Sequence, residues 1–110
     1  MNINLIVLYS YNHIAAKDFY EALGMDFKEE KHGNGPKHYA AVMDNGTVFE
    51  IYPDEDDTPV DYKMLIGVEV DNLHEVMNRL KNYHLYKKSG SKMSAMLVDP
   101  DGRSVLVVQN

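Results

Sequence analysis

The segment Gly46–Tyr52, with the sequence GTVFEIY, is echoed later in the chain by Gly102–Val108, with the sequence GRSVLVV. Each is a glycine followed by an apolar stretch, which is the pattern of a tight turn that leads into a β-strand. Leu5–Leu8 and Leu65–Val68 match in the same way. The repeat predicts two similar modules, and the space between two such modules is where a ligand site is expected.

Apolar spacing gives both halves of the chain the same order of elements. In the first half it predicts strands at 3–9, 26–32, 38–43 and 47–52, and a helix over 13–23. In the second half it predicts strands at 64–70, 85–88, 93–98 and 104–109, and a helix over 73–83. Asn12 and Asn72 precede the two helices, and an asparagine at that position caps the first turn. The sequence therefore predicts an α+β fold of two βαβββ modules.

Size and composition indicate one globular domain. The chain has 110 residues, of which 45% are hydrophobic and 25% charged, and it contains no cysteine. A chain of this length can bury a core without disulfides. We expect a single domain over 1–110, with a first module at about 1–53, a linker at about 54–61 and a second module at about 62–110.

The charge balance argues against two classes of partner. The net charge is −6, whereas nucleic-acid binding requires basic surface that neutralises phosphates. No apolar run is long enough to span a bilayer, and the first residues lack the basic start of a secretory signal. We therefore expect a cytoplasmic protein that binds neither nucleic acid nor membrane.

Alternation along the segment 47–52 separates two faces of a strand. Phe49 and Ile51 form an apolar row, whereas Glu50 and Tyr52 lie in a row with both apolar and hydrogen-bonding groups. The apolar row is expected to meet the helices. The mixed row then lies on the other face, and such a mixture is typical of a ligand cleft.

The predicted hairpin before that strand sets which residues lie beside it. Asn45-Gly46 can supply the two positive-φ residues of a two-residue turn. That turn would place Ala41 opposite Glu50 and Tyr39 opposite Tyr52. Tyr39 is therefore expected on the cleft face.

Two motifs carry a resemblance to a known family. Asp18–Met25, with the sequence DFYEALGM, follows the first strand, and Asp99–Gly102, with the sequence DPDG, precedes the last. In paired βαβββ modules these resemble the vicinal oxygen chelate superfamily, which includes glyoxalases, bleomycin-resistance proteins, extradiol dioxygenases and fosfomycin-resistance enzymes. The resemblance covers nearly the whole chain and implies curved mixed sheets that form a shared cleft.

The resemblance also implies where a metal would be held. Enzymes of the superfamily bind a divalent metal through the first and fourth strands of each module, which here correspond to Leu5, Glu50, Leu65 and Leu106. Leucine has no lone pair, and one carboxylate cannot hold an ion that needs three or more protein ligands. We therefore expect no metal and no cofactor at the cleft between the modules.

What remains is Glu50 in a partly apolar cleft. The residues expected to bind a ligand with it are Tyr9, Tyr39, Tyr52, Glu69 and His38, and Ser104 is expected on the same face. In this interpretation the tyrosines supply stacking area and hydroxyls, and Glu50 binds a cationic or donor-rich group. The alternative is that Glu50 is a relic, hydrogen-bonded or solvated in an unused groove.

His32 and His38 flank the glycine- and proline-containing loop 33–37. With a carboxylate nearby they would form an unorthodox metal or acid–base site. The alternative is a shaped loop at the mouth of the cleft that carries exposed histidines.

For function, the sequence favours binding over catalysis. The leading hypothesis is a small-molecule binding protein that resembles the bleomycin-resistance branch, with a ligand that is small and cationic. The alternative is a lyase, isomerase or oxygenase of the glyoxalase/dioxygenase type, in which Glu50 is the general base. We also expect a homodimer, because apolar positions such as Leu5, Leu65 and Leu106 on an open curved sheet are better covered by a partner chain.

Overall fold

A computed structural model describes residues 1–61, 63–81, 89–90 and 93–110 of the chain. The strand expected at 85–88 and residues 82–83 of the helix expected over 73–83 lie outside the described residues.

The first module contains four strands and a helix in the predicted order. These are β1 (Leu5–Ser10), α1 (His13–Leu23), β2 (Lys28–Glu30), β3 (His38–Val42) and β4 (Val48–Pro53). The strands form one sheet in the order β1-β4-β3-β2, in which β1 and β4 are parallel and the other pairs antiparallel. The helix therefore connects an edge strand to the opposite edge of the sheet, and the chain then returns by hairpins.

The second module repeats this arrangement. Its elements are β5 (Leu65–Val70), α2 (Leu73–Leu80), β6 (Ser89–Gly90), β7 (Ser94–Val98) and β8 (Ser104–Gln109). The sheet order is β5-β8-β7-β6, again with one parallel pair, β5 and β8. The predicted α+β fold of two βαβββ modules is confirmed.

Both helices begin where the sequence places an asparagine cap. The side chain of Asn12 accepts a hydrogen bond from the backbone N–H of Ala15 at 3.1 Å, and that of Asn72 accepts one from Glu75 at 3.1 Å. These contacts satisfy backbone donors that have no partner inside a helix. The caps thereby fix where each helix starts relative to the strand before it.

One core lies on the helix side of both sheets. The helices contact each other, and apolar residues of both modules share the same cluster. Its most completely buried members include Phe19, Tyr20, Ile51, Leu80, Leu97, Val105 and Val107. Because side chains alternate along a strand, the opposite rows of both sheets lie on the faces away from the helices, here called the open faces.

The hairpin between β3 and β4 differs by one residue from the two-residue turn that the sequence predicts. The backbone N–H of Met43 donates to the carbonyl of Thr47 at 2.8 Å, so the loop contains three residues, 44–46. Gly46 has a φ of +90°, and the side chain of Asn45 accepts from the N–H of Thr47 at 3.0 Å. This is the three-residue turn that ends in a left-handed residue.

This shift of one residue exchanges the faces of β3. Ala40, not Ala41, lies opposite Glu50, and Tyr39 lies opposite Ile51. The expectation that Tyr39 lies opposite Tyr52 on the cleft face is therefore wrong.

The corresponding hairpin of the second module joins the two modules. Asp99 is buried, and its carboxylate accepts hydrogen bonds from the Tyr20 hydroxyl at 2.6 Å and from the backbone N–H groups of Asp101 and Arg103, both at 2.9 Å. Ser10 donates to the carboxylate of Asp101 at 3.0 Å. The DPDG turn of one module is thus bonded to α1 and β1 of the other.

We expect Tyr20→Phe to destabilise the fold without changing its architecture. The substitution removes a buried donor to a carboxylate, which costs about 1.5–3 kcal/mol of unfolding free energy. Urea denaturation followed by circular dichroism measures this cost. Tyr11→Phe is the matched control because Tyr11 is exposed, and an equal loss in both variants would contradict the structural role of Tyr20.

The same contact makes a prediction at alkaline pH. Burial, and after it the charge of Asp99, raises the pKa of Tyr20 above the ordinary value of 10.0. Because the folded state holds this proton more tightly than the unfolded state, the contribution is complete below pH 10 and falls as pH rises beyond it. The stability of the native sequence should therefore decline more steeply above pH 10 than that of Tyr20→Phe. Parallel declines would contradict the raised pKa.

Candidate functional site

The open face of the first sheet carries a compact set of polar and aromatic groups. Glu50 lies between Val7 of β1 and Ala40 of β3, its partners across the sheet. Tyr52, two residues further along β4, pairs with Tyr9. The register of β1 and β4 places Tyr9, Glu50 and Tyr52 on one face, as the sequence predicts.

Glu50 has a histidine beside it. Its Oε2 lies 3.2 Å from Nε2 of His38, and the exposed fractions of the two side chains are 12% and 1%. The His38 ring stacks on the Tyr52 ring with centroids 4.1 Å apart and planes inclined by 8°. His38 occupies this position because of the register of β3, which places it on the same face as Glu50.

The orientation of the His38 ring is fixed on its other side. Nδ1 lies 3.3 Å from the carbonyl oxygen of Pro36, and a carbonyl only accepts, so the proton of this contact is on Nδ1. Nε2 is buried and, within the part of the chain that the structure describes, has no hydrogen-bond partner. Nε2 is therefore close to the Glu50 carboxylate, but the two groups do not form a hydrogen bond.

The loop after β2 brings a second histidine to the same place. The N–H of Gly35 donates to the carbonyl of His32 at 2.9 Å, which closes a tight turn. A Cβ at Gly35 would lie 3.0 Å from that carbonyl oxygen, so the turn favours glycine there. The His32 ring consequently lies 5.0 Å from the His38 ring, centroid to centroid.

Glu30, at the end of β2, completes the group. It pairs with His38 across the sheet, and its Oε1 lies 3.4 Å from Nε2 of His38 and 3.6 Å from Nε2 of His32. Glu30, His32, His38 and Glu50 each offer one ligand atom, and these atoms lie within 4.8 Å of one another. Glu30 is not among the residues predicted from the sequence, since its position opposite His38 depends on the register between β2 and β3.

Two tyrosines extend this group along the sheet. The rings of Tyr9 and Tyr52 are 5.8 Å apart, and Tyr9 is 59% exposed. Partial burial, and after it the charge of Glu50, raises the pKa of Tyr52 above its ordinary value. The Tyr52 hydroxyl therefore remains protonated at neutral pH and can donate a hydrogen bond.

The remaining predicted residues lie elsewhere. Tyr39 is on the helix side of the first sheet, where its ring lies 5.6 Å from that of His13 and 5.5 Å from the Lys17 ammonium. Glu69 and Ser104 belong to β5 and β8 of the second sheet. None of the contacts of Glu50 among the described residues involves these three.

A shallow cavity adjoins Tyr9, which is more exposed than Tyr52. Its volume is about 290 Å³, and it lies between β1 and the linker. Val7, Tyr9, Val60, Met64 and Arg103 are among its lining residues, whereas Glu50 and His38 are not. The chemistry of the site is therefore on the open sheet face, and Tyr9 connects the two.

The superfamily's metal arrangement does not fit this chain. On the open face of the second sheet, Leu106 pairs with Gly67, and the expected ligand positions Leu5 and Leu65 are exposed leucines. None of these side chains carries a donor atom. Glu50 alone cannot hold a metal between the modules.

Comparisons with known proteins agree with the fold. No family model and no curated protein matches the sequence. A glyoxalase/bleomycin resistance protein/dioxygenase family enzyme from Burkholderia phytofirmans PsJN has a TM-score of 0.72 at 12% identity, over 99% of this chain and 98% of that one. The chain has the glyoxalase/bleomycin-resistance fold.

Two further solved structures with this fold are described as binding or resistance proteins. A bleomycin resistance determinant encoded on the transposon Tn5 has a TM-score of 0.62 at 20% identity, over 100% of this chain and 98% of that one. TnmS3, an antibiotic binding protein from Streptomyces sp. CB03234, has a TM-score of 0.67 at 18% identity, over 99% and 94%. The predicted resemblance to the vicinal oxygen chelate superfamily is confirmed at the level of the fold.

Among the described residues, neither helix has the length and apolar character needed to cross a membrane.

Proposed function

We propose that the chain binds a small molecule on the open face of the first sheet. The observation that carries this proposal is the aromatic row of Tyr9, Tyr52 and His38 beside the partly exposed carboxylate of Glu50. Aromatic rings supply contact area at low entropic cost, and a carboxylate at their edge orients a donor group. This combination supports recognition of a planar or apolar ligand with a polar end.

The charge of the face favours a cationic or donor-rich ligand. The side chains that lie 3.2–3.6 Å from the carboxylates of Glu30 and Glu50 are histidines, and among the described residues neither glutamate pairs with a lysine or arginine. The whole chain carries a net charge of −6, which attracts cations toward it. A ligand ammonium or guanidinium would therefore be held by Glu50.

Two proteins with the same fold support a binding role. One is described as a bleomycin resistance determinant and the other as an antibiotic binding protein. Since their identity to this chain is 20% and 18%, they support the class of function and do not indicate the ligand. A cytoplasmic location and action as a single domain over 1–110 remain predictions from composition.

Catalysis is the second candidate. The dyad of Glu50 and His38, with 3.2 Å between carboxylate and ring nitrogen, resembles the spacing of an acid–base pair. In a lyase, isomerase or oxygenase of the glyoxalase/dioxygenase type, Glu50 would accept a proton from the substrate. The neighbour from Burkholderia phytofirmans, described as an enzyme, favours keeping this candidate.

We further propose that the chain forms a homodimer through its open faces. Leu5, Val42 and Leu65 lie on these faces and are 51%, 71% and 52% exposed. Leu106 is partly buried on the second face. A second copy of the chain would cover these apolar side chains and enclose the site.

Glu50→Gln should lower the affinity for a cationic ligand while leaving the fold intact. Loss of a charged hydrogen bond lowers the binding free energy by about 1.5–3 kcal/mol. In buffer with a chelator, stability should stay the same or rise, because the contact between Glu50 and His38 lacks hydrogen-bond geometry. Calorimetric binding and thermal melting on this variant measure both effects.

Two controls accompany that variant. Glu29→Gln changes an exposed carboxylate that pairs with Lys37 and should leave affinity unchanged. Glu69→Gln tests whether the open face of the second sheet contributes to binding. Loss of stability with unchanged affinity in Glu50→Gln would remove Glu50 from the site.

A thermal-shift screen of metabolites and cationic antibiotics, followed by turnover assays on the hits, separates the two functions. Binding without turnover is expected. Product formation that Glu50→Gln abolishes would instead establish the enzyme.

Sedimentation velocity should detect a dimer at micromolar concentration. Leu65→Glu places a charge on the open face and should shift the chain toward the monomer. Ile14→Glu is the control, because Ile14 is exposed on α1, away from that face. A stable monomer in the native sequence would refute the dimer.

A further inference from the structure

We propose that Glu30, His32, His38 and Glu50 bind a first-row divalent transition-metal ion such as Zn²⁺ within the first module. The four side chains come from β2, the following loop, β3 and β4, and their ligand atoms lie within 4.8 Å of one another. This site shares His38 and Glu50 with the small-molecule face proposed above, but the argument for the ion rests on the contacts of the four side chains and requires no organic ligand.

The spacing of the donor atoms matches a tetrahedral ion. Nε2 of His38 lies 3.2 Å from Glu50 and 3.4 Å from Glu30, and Nε2 of His32 lies 3.6 Å from Glu30. Ligands at the usual zinc distances, arranged tetrahedrally, are about 3.3 Å apart. Three of the required separations are therefore already close to those of a bound ion.

The environment of His38 is that of a metal ligand. Its Nδ1 contacts the Pro36 carbonyl at 3.3 Å, which is the arrangement that fixes the tautomer of a ligating histidine. Its Nε2 is buried, directed toward two carboxylates, and without a hydrogen-bond partner in the described part of the chain. A lone pair beside two anionic oxygens is repelled by them, and a metal cation between them would remove that repulsion.

Charge points the same way. Glu30 and Glu50 carry two formal negative charges, and Lys37 is directed to Glu29 at 3.6 Å. In the described residues no lysine or arginine forms an ion pair with either glutamate of the group. A divalent cation would balance both carboxylates at once.

The donor set identifies the class of ion. Two imidazole nitrogens and two carboxylate oxygens suit zinc and its first-row neighbours, whereas magnesium and calcium prefer oxygen ligands. The side chains of His32 and Glu30 are 71% and 43% exposed, so an ion can reach the buried His38 from solvent. Each carboxylate contributes one oxygen, which leaves the second oxygen of Glu50 for a ligand.

This site differs from the arrangement that the superfamily resemblance implies. It uses Glu50 but none of the positions occupied by Leu5, Leu65 and Leu106, and it lies within one module. The expectation of no metal concerned ligands from both modules. The group proposed here instead contains the two histidines of the predicted unorthodox site, His32 and His38, together with Glu50 and Glu30.

Titration of the full, untagged, chelator-treated chain with Zn²⁺ tests the proposal without any organic ligand. Isothermal calorimetry should give one ion per chain, and the melting temperature should rise with Zn²⁺ because the ion binds the folded state. Co²⁺ should give the intense visible absorption of tetrahedral coordination. Absence of saturable Zn²⁺ binding would overturn the proposal, while leaving small-molecule binding to be judged by its own screen.

Substitutions of the two exposed metal ligands, Glu30 and His32, test the site without disturbing the buried core. Glu30→Gln and His32→Ala should each weaken Zn²⁺ by about tenfold or more, since even outer partners of a metal contribute 10–100-fold. The matched controls are Glu29→Gln and His74→Ala, an exposed carboxylate and an exposed histidine outside the group. Zn²⁺ affinity that is equal in all four variants would show adventitious binding elsewhere and reject the site.

Discussion

The buried carboxylate of Asp99 is the constraint on which the assembly of the two modules depends. An ionised carboxylate inside a protein is costly unless its oxygens are hydrogen-bonded. Here it accepts from the Tyr20 hydroxyl, from two backbone N–H groups of its own turn, and from the Arg103 guanidinium at 3.2 Å. Tyr20 belongs to α1 of the other module, so the carboxylate has its full set of hydrogen bonds only when the modules are docked.

Arg103 carries this constraint to the candidate site. Burial lowers the pKa of its guanidinium, but the charge and hydrogen bond of Asp99, together with the charge of Asp101, raise the pKa above its ordinary value, so the group stays charged. Its second nitrogen donates to the backbone carbonyl of Tyr9 at 2.6 Å. The backbone that presents the Tyr9 ring on the open face is therefore fixed by the turn of the second module. The DPDG turn therefore has a structural role, and its connection to the candidate site is through the backbone of Tyr9.

Much of the fold is predictable because it depends on local signals. The helix predicted over 13–23 has those bounds, since the cap at Asn12 and the left-handed Gly24, with a φ of +120°, mark both ends. The alternation in β4 places Glu50 and Tyr52 on the open face as expected. These outcomes require only the neighbouring residues in the chain.

The wrong prediction for Tyr39 arises from the register between β3 and β4, which local sequence signals do not determine. Asn45-Gly46 suits a two-residue turn, but the Asn45 side chain instead accepts from Thr47 and Gly46 alone takes a positive φ. One extra loop residue reversed the faces of β3, which removed Tyr39 from the site. Glu30 is a separate omission, because its place beside His38 depends on the register between β2 and β3, which the β3–β4 turn does not set. A site made across strands is therefore less predictable than the strands themselves.

The repeat also explains why the chemistry gathers in one module. In register, Glu50 lies beside Ala40, and the equivalent pair in the second module is Leu106 beside Met96. The two sheets have the same architecture, but among the described residues the carboxylate and its neighbouring histidine at this position belong to the first sheet. Leu106 and Met96 supply neither metal ligands nor charge, and such apolar side chains tend to be covered. The two equivalent faces therefore differ through a few side chains on a repeated backbone pattern, without any change in topology.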